Sequence, residues 1–239
     1  MRKISYVVPV YLDDTSDVLI DLLKLYEGYS DEIKEAYEFI IVDDCSPIKI
    51  KVPDVNLNMK VLRIHTNITW NVGGAKNLGI IHSSHRYILA TDLDFIYPEN
   101  LLTHLMTRDI KDDTFYFIGA WNERRKKVVY WPHTIFTTID NFKKVGYYDE
   151  IYSGNYGCED MDIARSMRRA GIKQFNIGYK SFLFIEDLTK YPERGHHLLK
   201  RDSSVNRKIS KMKKKHSGLY LNFEWLLKKL YFYMPENKK

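Results

Sequence analysis

Three stretches of this 239-residue chain gather carboxylates where they could act on a substrate. In the first, Tyr87-Ile88-Leu89-Ala90 runs straight into Thr91-Asp92-Leu93-Asp94. An unbroken apolar run ending in a polar switch reads as a buried strand of a parallel sheet, and open α/β sheets bind ligands beyond the carboxyl ends of such strands. Side chains at i and i+2 of a strand point the same way, so the pattern predicts Asp92 and Asp94 aimed at one point. Paired anionic oxygens suit a hard divalent cation, Mg²⁺ or Mn²⁺, which also takes substrate phosphates. The plainer alternative is a solvated acidic turn. The second stretch, Glu38-Phe39-Ile40-Ile41-Val42-Asp43-Asp44, repeats the design. The third, Glu159-Asp160-Met161-Asp162, sets three acids in the first turn of a helix, where the helix dipole favours them whatever else they do.

The elements that must position these acids follow from the flanking patterns. Ile4 to Val10 is a first apolar strand. Ser16 or Asp17 can cap a helix that carries Val18, Leu19, Leu22, Leu23 and Tyr26 at helical spacing. Val61 to His65 is a third strand, and Gly73 to Ile81 a loop entering a helix that leads back to the Tyr87 strand. This cadence is that of a mainly parallel sheet flanked by helices. The turn after the first strand, Pro9-Val10-Tyr11-Leu12-Asp13-Asp14, contains no glycine, which excludes the dinucleotide fingerprint. No phosphate-binding Gly-x-x-x-x-Gly-Lys-Ser/Thr loop occurs either, so a metal on Asp92 and Asp94 is the substitute for a glycine cradle. Further on, Pro98 to Met106 reads as a helix, Phe115 to Trp121 and Val128 to Trp131 as strands, and Thr134 to Ile139 as an alternating run. Asp140 is placed to cap a helix over Asn141 to Val145, and Ser181 to Ile185 reads as a strand.

Composition narrows the class. A hydrophobic share of 44% and a charged share of 28% are those of a globular protein, and 18 Tyr hint at surfaces that stack on rings. The net charge of +6 is uneven. From Lys190 onward there are 14 Lys and Arg against 4 Asp and Glu, leaving 23 against 27 in the rest. A slightly acidic catalytic body with a basic tail fits that split better than a nucleic-acid binder does. Cys45 and Cys158 form no metal spacing or disulfide framework, which points to a reducing compartment. The first apolar run stops at Asp13 without a small-residue cleavage site, and no run approaches the roughly 18 to 20 apolar residues of a membrane span. The expected location is cytoplasmic, or peripheral at a membrane surface.

Five separated motifs then fall in one order: Val7-Val8-Pro9-Val10-Tyr11, Ile41-Val42-Asp43-Asp44-Cys45-Ser46, Gly74-Ala75-Lys76-Asn77-Leu78-Gly79-Ile80, Asp92-Leu93-Asp94, and Val145-Gly146-Tyr147-Tyr148-Asp149-Glu150 before Glu159-Asp160. In this the chain resembles the family 2 glycosyltransferases, nucleotide-sugar enzymes of the GT-A fold, over about Lys3 to Gly171. The resemblance implies a Rossmann-like, mainly parallel α/β catalytic domain over residues 1–189, with a nucleotide-sugar half to about residue 95 and an acceptor half beyond it. Residues 190–239 then form a basic, aromatic-rich, helical C-terminal segment. It implies a metal-dependent, inverting hexosyltransferase that moves sugar from a UDP-sugar to a hydroxyl of a glycan or glycolipid, as in polysaccharide biosynthesis. Pro9, Val10, Tyr11 and Asp13 would border the nucleotide, and Asp44 the uracil edge. Lys76 and Asn77 stand where the family has Ala-Arg-Asn, near base and diphosphate. Asp92, with Leu93, would contact the ribose or the metal. Asp94 would hold Mn²⁺ or Mg²⁺, with His196 or His197 as the candidate further ligand. Glu159 and Asp160 match the acceptor-site pair, with Asp160 the base.

Three departures accompany the match. Lys76 replaces an arginine and loses its planar fork, Cys45 replaces a glycine, and Tyr147 stands where a second glycine is common. Two rival functions are a noncatalytic carbohydrate- or partner-binding domain and a sugar nucleotidyltransferase. The latter needs a Gly- and Arg-rich loop after the first strand that this chain lacks. For the tail, Lys208 to Lys215 beside the Trp-, Leu- and Phe-rich stretch Leu219 to Met234 reads as an in-plane membrane helix. Alternatively it packs on the protein's own body or on a second subunit of a homodimer.

Overall fold

A computed structural model of the chain describes residues 1–13, 17–122, 126–178, 186–187, 199–215 and 233–235. Its scaffold begins with β1 (Ile4–Val10), in which every residue is buried. Successive side chains divide between two apolar layers: Ile4, Tyr6, Val8 and Val10 enter one, and Val7 the other. A strand buried on both faces reads as a continuous apolar run, which is why β1 and β2 (Tyr37–Asp43) were legible. Between them lie α1 (Val18–Glu27) and α2 (Asp31–Ala36), followed after β2 by β3 (Met59–Ile64). The six residues of α2 are too few to display a helical period, and the sequence reading missed them.

The chain continues through α3 (Val72–Ile81), β4 (Tyr87–Ala90), β5 (Phe95–Ile96), α4 (Glu99–Thr107), β6 (Thr114–Asn122) and β7 (Lys127–Thr138). Then come α5 (Ile139–Val145), a 3-10 turn (Glu150–Tyr152), α6 (Glu159–Arg169), β8 (Lys173–Ile177), β9 (Glu186–Asp187), α7 (Ser204–Lys215) and β10 (Tyr233–Pro235). The main sheet has the order β10-β3-β2-β1-β4-β7-β6-β8. β1 to β4 run parallel, β7 is antiparallel to β4 and β6, and β8 is parallel to β6. Helices α1, α2 and α4 supply Leu22, Ile33 and Leu105 to the layer on one face. On the other face, α3, α5 and α6 supply Leu78, Phe142 and Met167. Each such side chain contributes about 1.5 to 3 kcal/mol on burial.

Helix α3 lies unusually close to the sheet. A Cβ on Gly79 would run into Val7 Cγ1 and come within 3.1 Å of Val42 Cγ2. Glycine therefore sets how deeply α3 sits, and with it the depth of Lys76 one turn earlier.

Four expectations change. The Asp92 strand ends early, because β4 stops at Ala90 and both aspartates lie in the following turn. Strand alternation therefore does not aim them. The strand expected over Val128 to Trp131 and the alternating run from Thr134 are one strand, β7; Pro132 falls where the pairing to β6 slips between Phe117 and Gly119, so its missing N–H costs no ladder bond. Thr138, not Asp140, caps α5, its hydroxyl accepting from Asn141 N. At the far end, Tyr233–Pro235 pairs antiparallel with β3 as a strand, where a helix was expected up to Met234. Residues 181–185 and 219–232 lie outside the described residues.

Candidate active site

A cleft of ≈ 500 Å³ opens beyond the carboxyl ends of β1, β2 and β4. Backbone bonds from Asp44 N to Val10 O (2.8 Å) and from Thr91 N to Val7 O (3.0 Å) bring these three chain segments level. Pro9, Val10, Tyr11, Asp44, Asp92, Leu93, Asp94, Glu159 and Asp160 all line it, so the structure brings most of the expected site together. Asp13, half-exposed, is not among the lining residues. Leu93 is 2% exposed and anchors the turn, which leaves Asp92 and Asp94 on either side of a fixed apolar pin.

Behind the lining acids lies a buried cation that is not itself among the lining residues. Lys76, with no exposed surface, places Nζ 2.7 Å from Asp92 Oδ1 and 3.0 Å from Asp160 Oδ1. Its Nζ also sits 5.4 Å from the centre of the Tyr148 ring. His133 Nδ1 lies 2.9 Å from Asp160 Oδ2 and 3.7 Å from Asp92 Oδ2, while its ring stacks on Phe95. Burial by itself would raise the Asp160 carboxyl, but Lys76 and His133 outweigh it and hold Asp160 well below the usual carboxylate range. Burial would equally lower Lys76 and His133. Asp160 and Asp92 reverse both, raising Lys76 well above the ordinary lysine value and His133 to about 9. Glu159 goes the other way: burial, and then the charge of Asp160, push it up to about 7 against the smaller lowering by its own backbone N–H and by Lys76.

The paired acids of the second stretch part company. Asp43 turns inward, accepts from Ser46 N at 2.8 Å and pairs with Arg63. Asp44 faces the cleft, accepts from Asn71 Nδ2 at 3.0 Å, and is raised to about 7 by burial, with Asn71 opposing and Asp43 adding. Asn71 is held in turn by Ser153 Oγ at 2.8 Å. Asn77, expected near the diphosphate, spends its amide elsewhere. Its Nδ2 donates to Tyr148 O (2.9 Å) and Glu150 Oε1 (2.7 Å), and its Oδ1 accepts from Tyr148 N (2.8 Å). That explains the Val145–Glu150 motif as the latch that fixes α3. Cys45 and Tyr147 take φ of +56° and +66°, so both nonglycine departures occupy the left-handed region nonetheless.

His133 reaches Asp160 across 27 positions. Trp70, Tyr156, Arg201 and Arg207, which had no signal in the sequence, come from loops and from α7. The rings of Trp70 and Tyr156 lie 4.7 Å apart, and the Trp70 indole N–H donates to Lys200 O at 3.0 Å. His196 and His197 lie outside the described residues. Among the described residues, Asp92, His133 and Asp160 form a group that could hold a metal. Two carboxylates and an imidazole suit Mn²⁺ in donor type. However, Lys76 already contacts both carboxylates and His133 occupies the second Asp160 oxygen, so a cation at that centre would abut an ammonium. Asp94 lines the same cleft beside this group.

Comparison with known proteins agrees with this geometry. A family model described as glycosyl transferase family 2 matches residues 5–174. No curated protein sequence matches the chain. Among solved structures, the catalytic domain of Drosophila beta1,4-galactosyltransferase 7 in complex with xylobiose superimposes with a TM-score of 0.60 at 15% identity, covering 90% of this chain and 82% of that one. Mannosyltransferase PcManGT from Pyrobaculum calidifontis, in complex with GDP-Man and Mn²⁺, gives 0.60 at 16% identity over 82% of this chain and 59% of that one. S. aureus TarS 1-349 with UDP-GlcNAc gives 0.58 at 16% identity over 73% and 56%. These likenesses establish the GT-A fold.

Proposed function

Since the chain belongs to glycosyl transferase family 2, we propose that it is a metal-dependent, inverting hexosyltransferase that moves a sugar from a UDP-sugar to a hydroxyl of a glycan or glycolipid. The observation that carries this reading is one cleft holding a nucleotide-facing acid (Asp44), a pair of turn acids (Asp92, Asp94) and a buried acidic pair (Glu159, Asp160). A noncatalytic binding domain would have no need to hold an ionised carboxylate at the floor of that cleft. The donors named in the neighbouring structures, UDP-Gal with manganese, GDP-Man with Mn²⁺ and UDP-GlcNAc, support a nucleotide-sugar.

On this reading Pro9, Val10 and Tyr11 flank the base while Asp44 accepts its imide N–H. Asp94 and Asp92 would hold Mn²⁺ or Mg²⁺, which would supply charge neutralisation for the diphosphate. The acceptor oxygen attacks the anomeric carbon, the bond to the diphosphate breaks, and the acceptor proton passes to Asp160. Lys76 and His133 keep Asp160 ionised and fixed in direction. The same two cations make Asp160 a weak base, whereas the raised Glu159 is better matched to neutral pH, so Glu159 is the second candidate for the proton.

The test is UDP or GDP release from UDP-Gal, UDP-GlcNAc, UDP-glucose and GDP-mannose with Mn²⁺, repeated for Asp160→Asn and Glu159→Gln. Loss of the true base lowers the rate by about 10² to 10⁴ while donor binding stays within a few-fold. Wild-type turnover by Asp160→Asn transfers the role to Glu159. No turnover of any donor by the wild-type protein favours a noncatalytic role.

A further inference from the structure

The segment 199–215 lies wholly beyond the part of the chain that the family model matches, yet it grips the loop that presents the acidic pair. Asn206 of α7 is completely buried, and its Nδ2 lies 3.0 Å from Tyr152 O, 2.7 Å from Asn155 O and 2.7 Å from Gly157 O. One amide nitrogen thus faces three carbonyls of the stretch that runs into Cys158, Glu159 and Asp160, its two N–H groups shared among them. The opposite amide orientation would set oxygen against three oxygens, so the network fixes it. One turn on, Arg165 Nη2 donates to Ser210 Oγ at 3.0 Å. Lys213 then bridges Asp149, at 2.5 Å, to Asp162 of α6.

Gly157 and Cys158 take φ of +83° and +81° in succession, and a nonglycine residue there costs about 1 to 2 kcal/mol. Cys158 is also the N-cap position of α6 and makes no side-chain cap bond. Glu159 and Asp160 therefore stand on a strained turn whose last carbonyl before Cys158 is bonded by Asn206.

We propose that α7 is a clamp for the acidic pair, with Asn206 and Lys213 as positioning residues: Asn206 fixes the approach to Cys158, and Lys213 ties α6 to the Asp149 turn. The inference rests on the reading of Glu159 and Asp160 as the proton-accepting pair. It gives the basic C-terminal segment a role inside the enzyme. Lys213, counted with the tail lysines in the sequence, is held between two carboxylates and is not free to meet a membrane surface.

Asn206→Asp is nearly isosteric but replaces the donor by a carboxylate facing three carbonyls; Asn206→Ala removes the donor and adds nothing. Both, with Lys213→Met, are measured at a temperature where circular dichroism shows each fully folded. The readouts are UDP affinity by calorimetry with Mn²⁺ and turnover of the UDP-sugar most active with the wild-type protein. The expected result is kcat at least tenfold lower in both Asn206 variants, with UDP Kd within threefold and KM for the donor little changed. If Asn206→Asp does not fold, Asn206→Ala and Lys213→Met carry the test. A folded Asn206→Ala with kcat within twofold of wild type overturns the clamp, as does a loss confined to UDP affinity. Asp160→Asn and Glu159→Gln in the same assay separate the two ideas. If neither lowers turnover, the acidic-pair reading fails; if one does and Asn206→Ala does not, the clamp alone fails.

Discussion

Removing the Lys76 ammonium tests the centre of the site most directly. Its Nζ lies 2.7 Å and 3.0 Å from oxygens of Asp92 and Asp160, with no solvent at the lysine. At an effective dielectric of about 20, each contact is worth roughly 5 to 6 kcal/mol before desolvation is set against it. Breaking such a buried cluster from one side costs about 3 to 5 kcal/mol, because the carboxylates stay behind uncompensated. His133, raised to about 9 and within 2.9 Å of Asp160, still offers a positive charge at neutral pH, which places Lys76→Met at the lower end, about 3 kcal/mol. For a chain of this length that lowers Tm by about 6 to 12 °C. Urea unfolding followed by circular dichroism measures the loss. Adding Asp160→Asn to Lys76→Met removes the stranded charge, so the double variant recovers part of the stability, with a coupling of at least about 1.5 kcal/mol. Moderate salt leaves the difference in place, since a buried pair is poorly screened. A Lys76→Met midpoint equivalent to less than about 0.5 kcal/mol, or a coupling near zero, would refute the assignment of Lys76 as the counter-ion of the cleft.

Three further outcomes follow from named residues. Asp44 is raised to about 7 by burial, so the ligand-free fold favours its protonated form; its stability contribution is full below the ordinary carboxylate range and is lost as pH rises through 7. A uracil imide selects the carboxylate instead, so UDP affinity should fall about tenfold between pH 8 and pH 6, and calorimetry on Asp44→Asn should show a flat profile. Asp94→Ala should abolish the Mn²⁺-dependent part of UDP binding without shifting the Tm of the metal-free protein by more than about 2 °C; wild-type UDP affinity that ignores excess chelator would count against Asp94 as a metal holder. Cys45→Gly relieves a left-handed nonglycine residue worth about 1 to 2 kcal/mol against a glycine entropy cost of about 0.5 to 1. Scanning calorimetry should therefore show an unchanged or raised Tm, by up to about 6 °C, and a clear fall would mean that the thiol packs usefully.

How much the chain disclosed by itself depended on the range of the physics involved. Buried strands announce themselves locally, because burial on both faces demands consecutive apolar residues, and Ile4–Val10 and Tyr37–Asp43 were legible for that reason. So were the acids at their ends and the glycines of α3, since a turn or a close approach to Val7 restricts residue type on the spot. Direction and partnership were not legible. Asp43 and Asp44 are neighbours with the same side chain, yet Arg63 draws one inward and Asn71 turns the other to the cleft. Asp92 and Asp94 share a turn, but only Asp92 meets Lys76, and only because Gly79 lets α3 settle deep against β1. The partners of His133 and Asn206 were not legible either, lying 27 and about 50 positions away. Sequence spacing records interactions that recur every two or four residues. A charge cluster assembled once, from a helix, a turn, a strand and a second helix, exists only after the sheet has brought its pieces together.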